Sequence, residues 1–238
     1  MLLCDINCDL GEGIGNDEAI MPFISSANIA CGFHAGDTAT MDQTVLLAKR
    51  NGVAIGAHPS FYDRENFGRT EMHLSVTEIY NLVQKQIQIL RSVAARHEMR
   101  LKHVKPHGAL YNMSAKNATI ARAIAQAVKE HDPNLVLFGL SGSHSVQEAQ
   151  QLGLKTCSEV FADRTYQDDG SLTPRSQPNA LIHNTKQAVT QTLQMIQQKT
   201  VNSVSGKEMP IIAETICIHG DNHEAIAFAK AINEALRK

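Results

Sequence analysis

The residues able to do chemistry gather in a few short stretches, each following an apolar run. They are Asp9-Leu10-Gly11-Glu12, Cys31-Gly32-Phe33-His34-Ala35-Gly36-Asp37, His58-Pro59, Lys105-Pro106-His107-Gly108, Asp163-Arg164 and His219-Gly220-Asp221. Carboxylates beside imidazoles are the makings of general acid–base catalysis or of a metal site. Asp9, His34 and His58 are the candidate metal ligands, but no H-x-x-x-H or H-E-x-x-H spacing reinforces them. Lys105 is either one arm of an ion pair or the positive group for a developing oxyanion or a carboxylate substrate. Asp5, Asn7 and Asp9 have a plain alternative as partners of a buried lysine or as loop caps. Cys31 reads as packing, because nothing near it would stabilise a thiolate. His73, His97, His131, His144 and His183 fall in helical or loop stretches and are expected to face solvent, and His223 stands where the last helix opens.

Such scattered groups need elements to bring them together. Strand-like runs are predicted at Leu2–Cys8, Ala27–Cys31, Val53–Ala57, Leu101–Lys105, Leu135–Gly139, Leu154–Phe161 and Ile211–His219, with amphipathic helical stretches between them. Thr40-x-x-Gln43, Ser75-x-x-Glu78 and Ser145-x-x-Glu148 look like helix starts, Gly52 like a C-cap, and a further helix runs from about Asn117 to His131. Repeated strand–helix units argue for a parallel sheet, either open and doubly wound or closed into a barrel. The first strand separates the two. Cys4, Ile6, Cys8 and Leu10 share one face, while Asp5, Asn7 and Asp9 share the other. An open sheet covered on both sides should be apolar on both, whereas a barrel with a polar mouth accommodates the second face. His103, Lys105 and His107 fall together by the same parity, as do Ala54, Gly56 and His58, and Thr215, Cys217, His219 and Asp221; Glu214 breaks the pattern. In parallel α/β folds the carboxyl ends of strands carry the ligand site. The long polar segments 61–71 and 164–178 are expected to be loops on that rim.

The chain has 238 residues, 43% hydrophobic and 19% charged, with net charge −2, which suits one globular domain spanning 1–238 and gives no electrostatic footprint for nucleic acid or anionic membrane. Five cysteines without a C-x-x-C, and acid by the fifth residue, point to a reduced, cytoplasmic protein. Neither G-x-x-x-x-G-K-[ST] nor a strand-linked G-x-G-x-x-G is present, so the chain shows no nucleotide loop of its own; a G-x-S-x-G elbow is also absent.

Over nearly its whole length the sequence resembles the LamB/YcsF family. The carriers are Asp5–Gly13, Ala27–Asp37, Gly56-Ala57-His58-Pro59, Val104–Asn112, Glu159–Arg164, Leu172-Thr173-Pro174-Arg175-Ser176 and His219-Gly220-Asp221, in family order. Small departures occur at Pro59-Ser60-Phe61-Tyr62 and at Thr70, where a second arginine is usual. The resemblance implies a seven-stranded (β/α) barrel of the glycoside hydrolase/deacetylase kind. It also implies the A subunit of an ATP-dependent 5-oxoprolinase, which opens 5-oxo-L-proline to L-glutamate while ATP is cleaved to ADP and phosphate. Partner subunits B and C would phosphorylate the lactam, and a divalent metal is a candidate cofactor. Asp9, Glu12, His34, His58, Lys105 and His107 are then the expected catalytic groups. Asp5, Asn7, Asn28, Asp37, Glu159, Asp163, Arg164, Arg175, His219 and Asp221 are expected to bind substrate. Two alternatives stand beside this: a metal-dependent deacetylase or amidohydrolase that needs no ATP, and a non-catalytic subunit that delivers a lactam or sugar.

Overall fold

The structure, a computed structural model, describes residues 4–221 and 224–237. Seven parallel strands close a barrel: β1 (Asp5–Leu10), β2 (Ser26–Ala30), β3 (Ala54–His58), β4 (Leu101–Val104), β5 (Val136–Leu140), β6 (Lys155–Phe161) and β7 (Thr215–His219), with β7 returning to β1. Each falls on a predicted run, with ends displaced by up to four residues; Leu2 and His223 lie outside the described residues. Parallel neighbours need long crossovers. Helices α1 (Asp17–Ile20), α2 (Thr38–Asn51), α3 (Val76–Arg96), α4 (Gly108–Lys116), α5 (Ala118–His131), α6 (His144–Gln151) and α7 (Thr185–Gln197) supply them, and α8 (Ala225–Leu236) follows the last strand. No helix among the described residues is long and apolar enough to cross a membrane.

The caps explain several boundaries. Ser75 and Glu78 form the expected reciprocal box at the start of α3, Asn117 caps α5, and Gly52 closes α2 in the left-handed region. At α2 the expected Thr40 box gives way to Asp37, whose carboxylate accepts from Thr40 N at 2.8 Å and from the Thr40 hydroxyl at 2.9 Å. The helix therefore begins earlier than the sequence pattern suggested. At α6 the N-cap is Ser143, and Ser145 lies inside the helix, bonded to Ser114. Helix α4 was not foreseen, and its first turn lacks a capping side chain. A short antiparallel pair, Thr200–Asn202 with Glu208–Pro210, was also unforeseen.

The period-two alternation of β1 holds. Ile6, Cys8 and Leu10 pack outward into the apolar core beneath the helices. Asp5, Asn7 and Asp9 point into the barrel, whose centre is a hydrogen-bonded polar column. Asn7 donates to Thr215 at 2.8 Å, and Asn28 donates to Asn7 at 2.7 Å and to Asp9 at 2.8 Å. His103 Nε2 meets Asn28 Oδ1 at 2.8 Å and its ring stacks on Phe138. Only glycine fits at 56, since a Cβ there would lie 2.2 Å from the His103 ring. These bonds tie Asn7, Asn28, Asp9, Thr215 and His103 to one another, as a buried network needs.

Candidate active site

At the carboxyl ends of the strands the polar column turns ionic. The Lys105 ammonium, 2% exposed, lies 2.8 Å from Asp9 Oδ1, 2.8 Å from Glu159 Oε1, 3.0 Å from Cys217 Sγ and 3.2 Å from Asn7 Oδ1. Burial pulls this amine down, but the charges of Asp9 and Glu159 outweigh it and hold Lys105 well above the usual lysine range. An ammonium has three donors, and all are taken. Burial likewise pushes the Asp9 carboxyl up, while His58 and Lys105 outweigh it and keep Asp9 well below the usual carboxylate range.

Above Asp9 three imidazoles converge, and their tautomers follow from their neighbours. His58 Nδ1 lies 2.7 Å from the Lys105 carbonyl and His107 Nε2 lies 2.9 Å from the Phe67 carbonyl. A carbonyl only accepts, so both nitrogens carry protons. The Ser60 hydroxyl spends its proton on the Phe61 carbonyl, so His34 Nδ1 must donate to Ser60 Oγ at 2.8 Å. The remaining nitrogens, His34 Nε2, His58 Nε2 and His107 Nδ1, face one small space. His58 Nε2 and His107 Nδ1 are 2.9 Å apart, and His58 Nε2 is 3.3 Å from Asp9 Oδ2. Two ring nitrogens cannot approach so closely with bare lone pairs, so a proton or a cation belongs between them. Glu12 Oε1 stands 3.1 Å from His34 Nε2 and 3.6 Å from His107 Nδ1. Burial, with the charges of Asp9 and Asp221, pushes the Glu12 carboxyl well above its usual range, so it can donate to His34. Burial and neighbouring histidines hold His34 and His107 well below the imidazole range.

One donor atom from each of Glu12, His34, His58 and His107 lies within 4.8 Å of the others. Three nitrogens and a carboxylate suit zinc or a similar transition ion, and each ring is already oriented through its other nitrogen, as metal-binding histidines are. The set differs from the one suggested by sequence: His34 and His58 are in it, Glu12 and His107 join it, and Asp9 stands beside it. His219 lies on the other side of Asp9. Asp163 accepts from its Nδ1 at 3.0 Å and from its backbone N–H at 3.2 Å, leaving Nε2 to the cavity that His219 lines. Burial raises the Asp163 carboxyl, but His219 outweighs it and holds it below the usual range. The cavity above these groups measures about 780 Å³.

The LamB/YcsF family model matches residues 4–238. The chain belongs to the LamB/YcsF family. Among its relatives, the 5-oxoprolinase A subunit of Bordetella pertussis is 52% identical over 98% of this chain and 95% of its own length. The protein of that name from Geobacillus kaustophilus is also 52% identical, over 100% of this chain and 94% of its own. The crystal structure of the lactam utilization protein from Thermus thermophilus superposes with a TM-score of 0.91 at 42% identity, covering 98% of this chain and 96% of that one.

The LamB/YcsF motifs do not all meet at the cluster. Asp5 sits at the opposite end of the barrel, accepting from Ser25, Ser26 and Thr215. Asp37 is spent on the α2 cap, away from the imidazoles. Asn7, Asn28 and Glu159 lie beneath the reactive groups and hold Asp9 or Lys105. Arg164 is buried and donates to the Thr173 carbonyl at 2.6 Å and the Ala180 carbonyl at 3.3 Å, tying down the rim loop. Asp221 pairs with Arg69. Arg175 lines the cavity. Sequence reasoning did not single out Ser60, the Phe67 carbonyl or Tyr111. Tyr111 is 5% exposed, and burial and the facing Glu159 carboxylate push its hydroxyl well above the usual range. Only the placement of segment 61–71 on the rim pointed toward Ser60 and Phe67.

Proposed function

We propose that this chain is the ring-opening subunit of an ATP-dependent 5-oxoprolinase, converting 5-oxo-L-proline to L-glutamate with partner subunits B and C. The observation that carries this reading is the cluster of Asp9, Glu12 and three tautomer-fixed imidazoles under an open cavity, in a chain 52% identical along its length to proteins named as the A subunit of 5-oxoprolinase. A five-membered lactam is a stable amide. Phosphorylation of its carbonyl oxygen by the partners, at the expense of ATP, makes the ring carbon electrophilic. The absence of a nucleotide loop here agrees with that division of labour.

In this reading the Lys105 carbonyl orients His58 through Nδ1, and His58 Nε2 takes the proton of the attacking water, the imidazolium so formed being stabilised by ionised Asp9. His107 and His34 shape the polar pocket in which charge develops, and Glu12 stands by as a proton donor. When the C–N bond breaks, the ring nitrogen must gain a proton. His219 supplies it from Nε2, held in place through Nδ1 by Asp163. Lys105 keeps Asp9 charged and does not itself reach the substrate anion. A divalent cation, where bound, would be held by Glu12, His34, His58 and His107 and would add Lewis-acid polarisation. The five free cysteines agree with a reducing, cytoplasmic setting, and we take 1–238 to work as one domain.

The convergent lone pairs favour one second reading, a metal-dependent amidohydrolase or deacetylase that works without ATP. One assay separates the readings: glutamate release from 5-oxoproline and ATP, by the chain alone and then with subunits B and C. Glutamate is expected only from the mixture. Asp9→Asn and His58→Ala should each lower it by about 10²–10⁴-fold with both proteins still folded, Asp9→Asn melting lower because Lys105 keeps only Glu159 as an ionic partner. Chelator-sensitive hydrolysis by the chain alone would favour the second reading. Unchanged turnover in both variants would leave a non-catalytic binding subunit.

A further inference from the structure

The cavity does not stop at the imidazoles. At about 780 Å³ it lies among sites of roughly 300–1,000 Å³ that enclose drug-sized ligands, which is room for a five-membered lactam together with its anionic group. Its outer wall is built from the last residue of α4, Lys116, from the turn Ser141–His144 that opens α6, and from Arg175 on the rim loop. Among the described residues Lys116 and Arg175 form no hydrogen bond or ion pair. The carboxylate of Asp169, which also lines the cavity, accepts from the Ser171 N–H at 2.9 Å and feels the Lys116 charge more weakly. Arg164, tied to the Thr173 and Ala180 carbonyls, feels the like charge of Arg175; burial first and then Arg175 pull Arg164 down to about 10. Two guanidiniums therefore share one wall. Ser143 makes no side-chain cap at α6, and its hydroxyl oxygen is shielded from solvent with no partner. Uncapped first-turn N–H groups, a shielded hydroxyl and two unpaired cations are complementary to a single kind of group.

We propose that this outer wall is an oxyanion subsite, in which Arg175, Lys116 and the Ser143–His144 turn hold the carboxylate or phosphoryl group of the substrate while its reacting carbonyl lies against Asp9 and His58. The assignment rests on the ring-opening reading and deepens it, because it selects anionic lactams over neutral ones. It also moves anion binding away from Lys105, which is saturated, and Arg164, which is spent on backbone carbonyls.

The test is calorimetric titration of the full chain, without partners or ATP, with 5-oxoproline, inorganic phosphate and the neutral lactam 2-pyrrolidone. In Arg175→Ala/Lys116→Ala, affinity for 5-oxoproline or for phosphate should fall tenfold or more, while 2-pyrrolidone gives the same titration with both proteins. Loss for 5-oxoproline alone identifies the carboxylate as the anion; loss for phosphate alone identifies the phosphoryl group. Arg175→Lys should recover part of the affinity, and equal melting temperatures exclude misfolding. Wild-type protein that binds neither oxyanion, or a double variant that binds both as well as wild type, overturns the subsite. A chain that binds the oxyanion as expected but supports no glutamate release keeps the subsite and defeats the ring-opening reading instead.

Discussion

Lys105 shows how completely a residue's chemistry can be set by its neighbours. Its ammonium balances Asp9 on one side and Glu159 on the other, Glu159 fully buried and Asp9 open only to the cavity. Isolated buried charges are expensive, and a pair broken on one side costs more than a pair removed whole. Lys105→Met should therefore destabilise the protein by about 3–5 kcal/mol, read as a lowered urea midpoint. Lys105→Met/Glu159→Gln removes one of the two stranded charges and should recover part of that loss. Equal midpoints for wild type and Lys105→Met would mean that the lysine carries no structural charge. The same saturation explains why this lysine serves Asp9 and leaves anion recognition to residues nearer the mouth.

The segment between β3 and α3 works as a small element of its own. Asp63 accepts from Asn66 and Thr70, and Arg64 reaches across to the Gly32 and Gly36 carbonyls at 2.9 and 2.8 Å. This clamp delivers the Phe67 carbonyl to His107, with Phe67 in the left-handed region at φ 56°. Gly68 follows at φ 69°, where a Cβ would come 2.8 Å from His34 Cβ and 2.9 Å from the His107 ring. His34 and His107 stack at 3.8 Å directly beneath it. Gly68→Ala should cost about 1–2 kcal/mol from the backbone alone, which is roughly 2–4 °C of melting temperature per kcal/mol for a chain of this size. It should also spread the two rings, shifting their imidazole NMR signals and lowering glutamate release. Unchanged imidazole signals in a folded Gly68→Ala protein would show that this turn does not position them.

Across the whole molecule, the barrel carries a polar column from Asp5 at one end to Asp9 at the other, ringed by apolar strand faces and helices. His103 sits in the middle of it, and burial, with the charges of Lys105 and His58, pulls it down to about 3. The folded chain keeps this ring neutral, while the unfolded chain protonates it near pH 6.5. Its contribution to stability is therefore complete above pH 6.5 and is lost as pH falls toward 3. Between those limits the slope is about 1.4 kcal/mol per pH unit for one proton. Unfolding free energies from urea titrations at pH 7.5 and 5.5 should differ more in wild type than in His103→Gln, by about 1.4 kcal/mol for the unit of pH below 6.5. The same pH dependence in both proteins would exclude His103 as the titrating group.

By itself the sequence determined the architecture and which end of it is polar. Alternation along Asp5–Leu10 is a local, period-two property, and so are the helical spacings and the Ser75 and Asn117 caps; each depends on residues only a few positions apart. It could not separate Asp5 from Asp9, which share a strand face but stand at opposite ends of the barrel. Nor could it decide whether Lys105 is paired, whether Asp37 is a cap or a ligand, or which nitrogen of each histidine is free. The Asp37 cap is decided by Thr40, three positions on, but the others hang on partners far along the chain, such as Ser60 for His34, Lys105 O for His58 and Cys217 for Lys105, 26 to 112 positions away. Closure of the barrel brings these groups within hydrogen-bond reach, and only there do burial and mutual charge set which of them keep their protons.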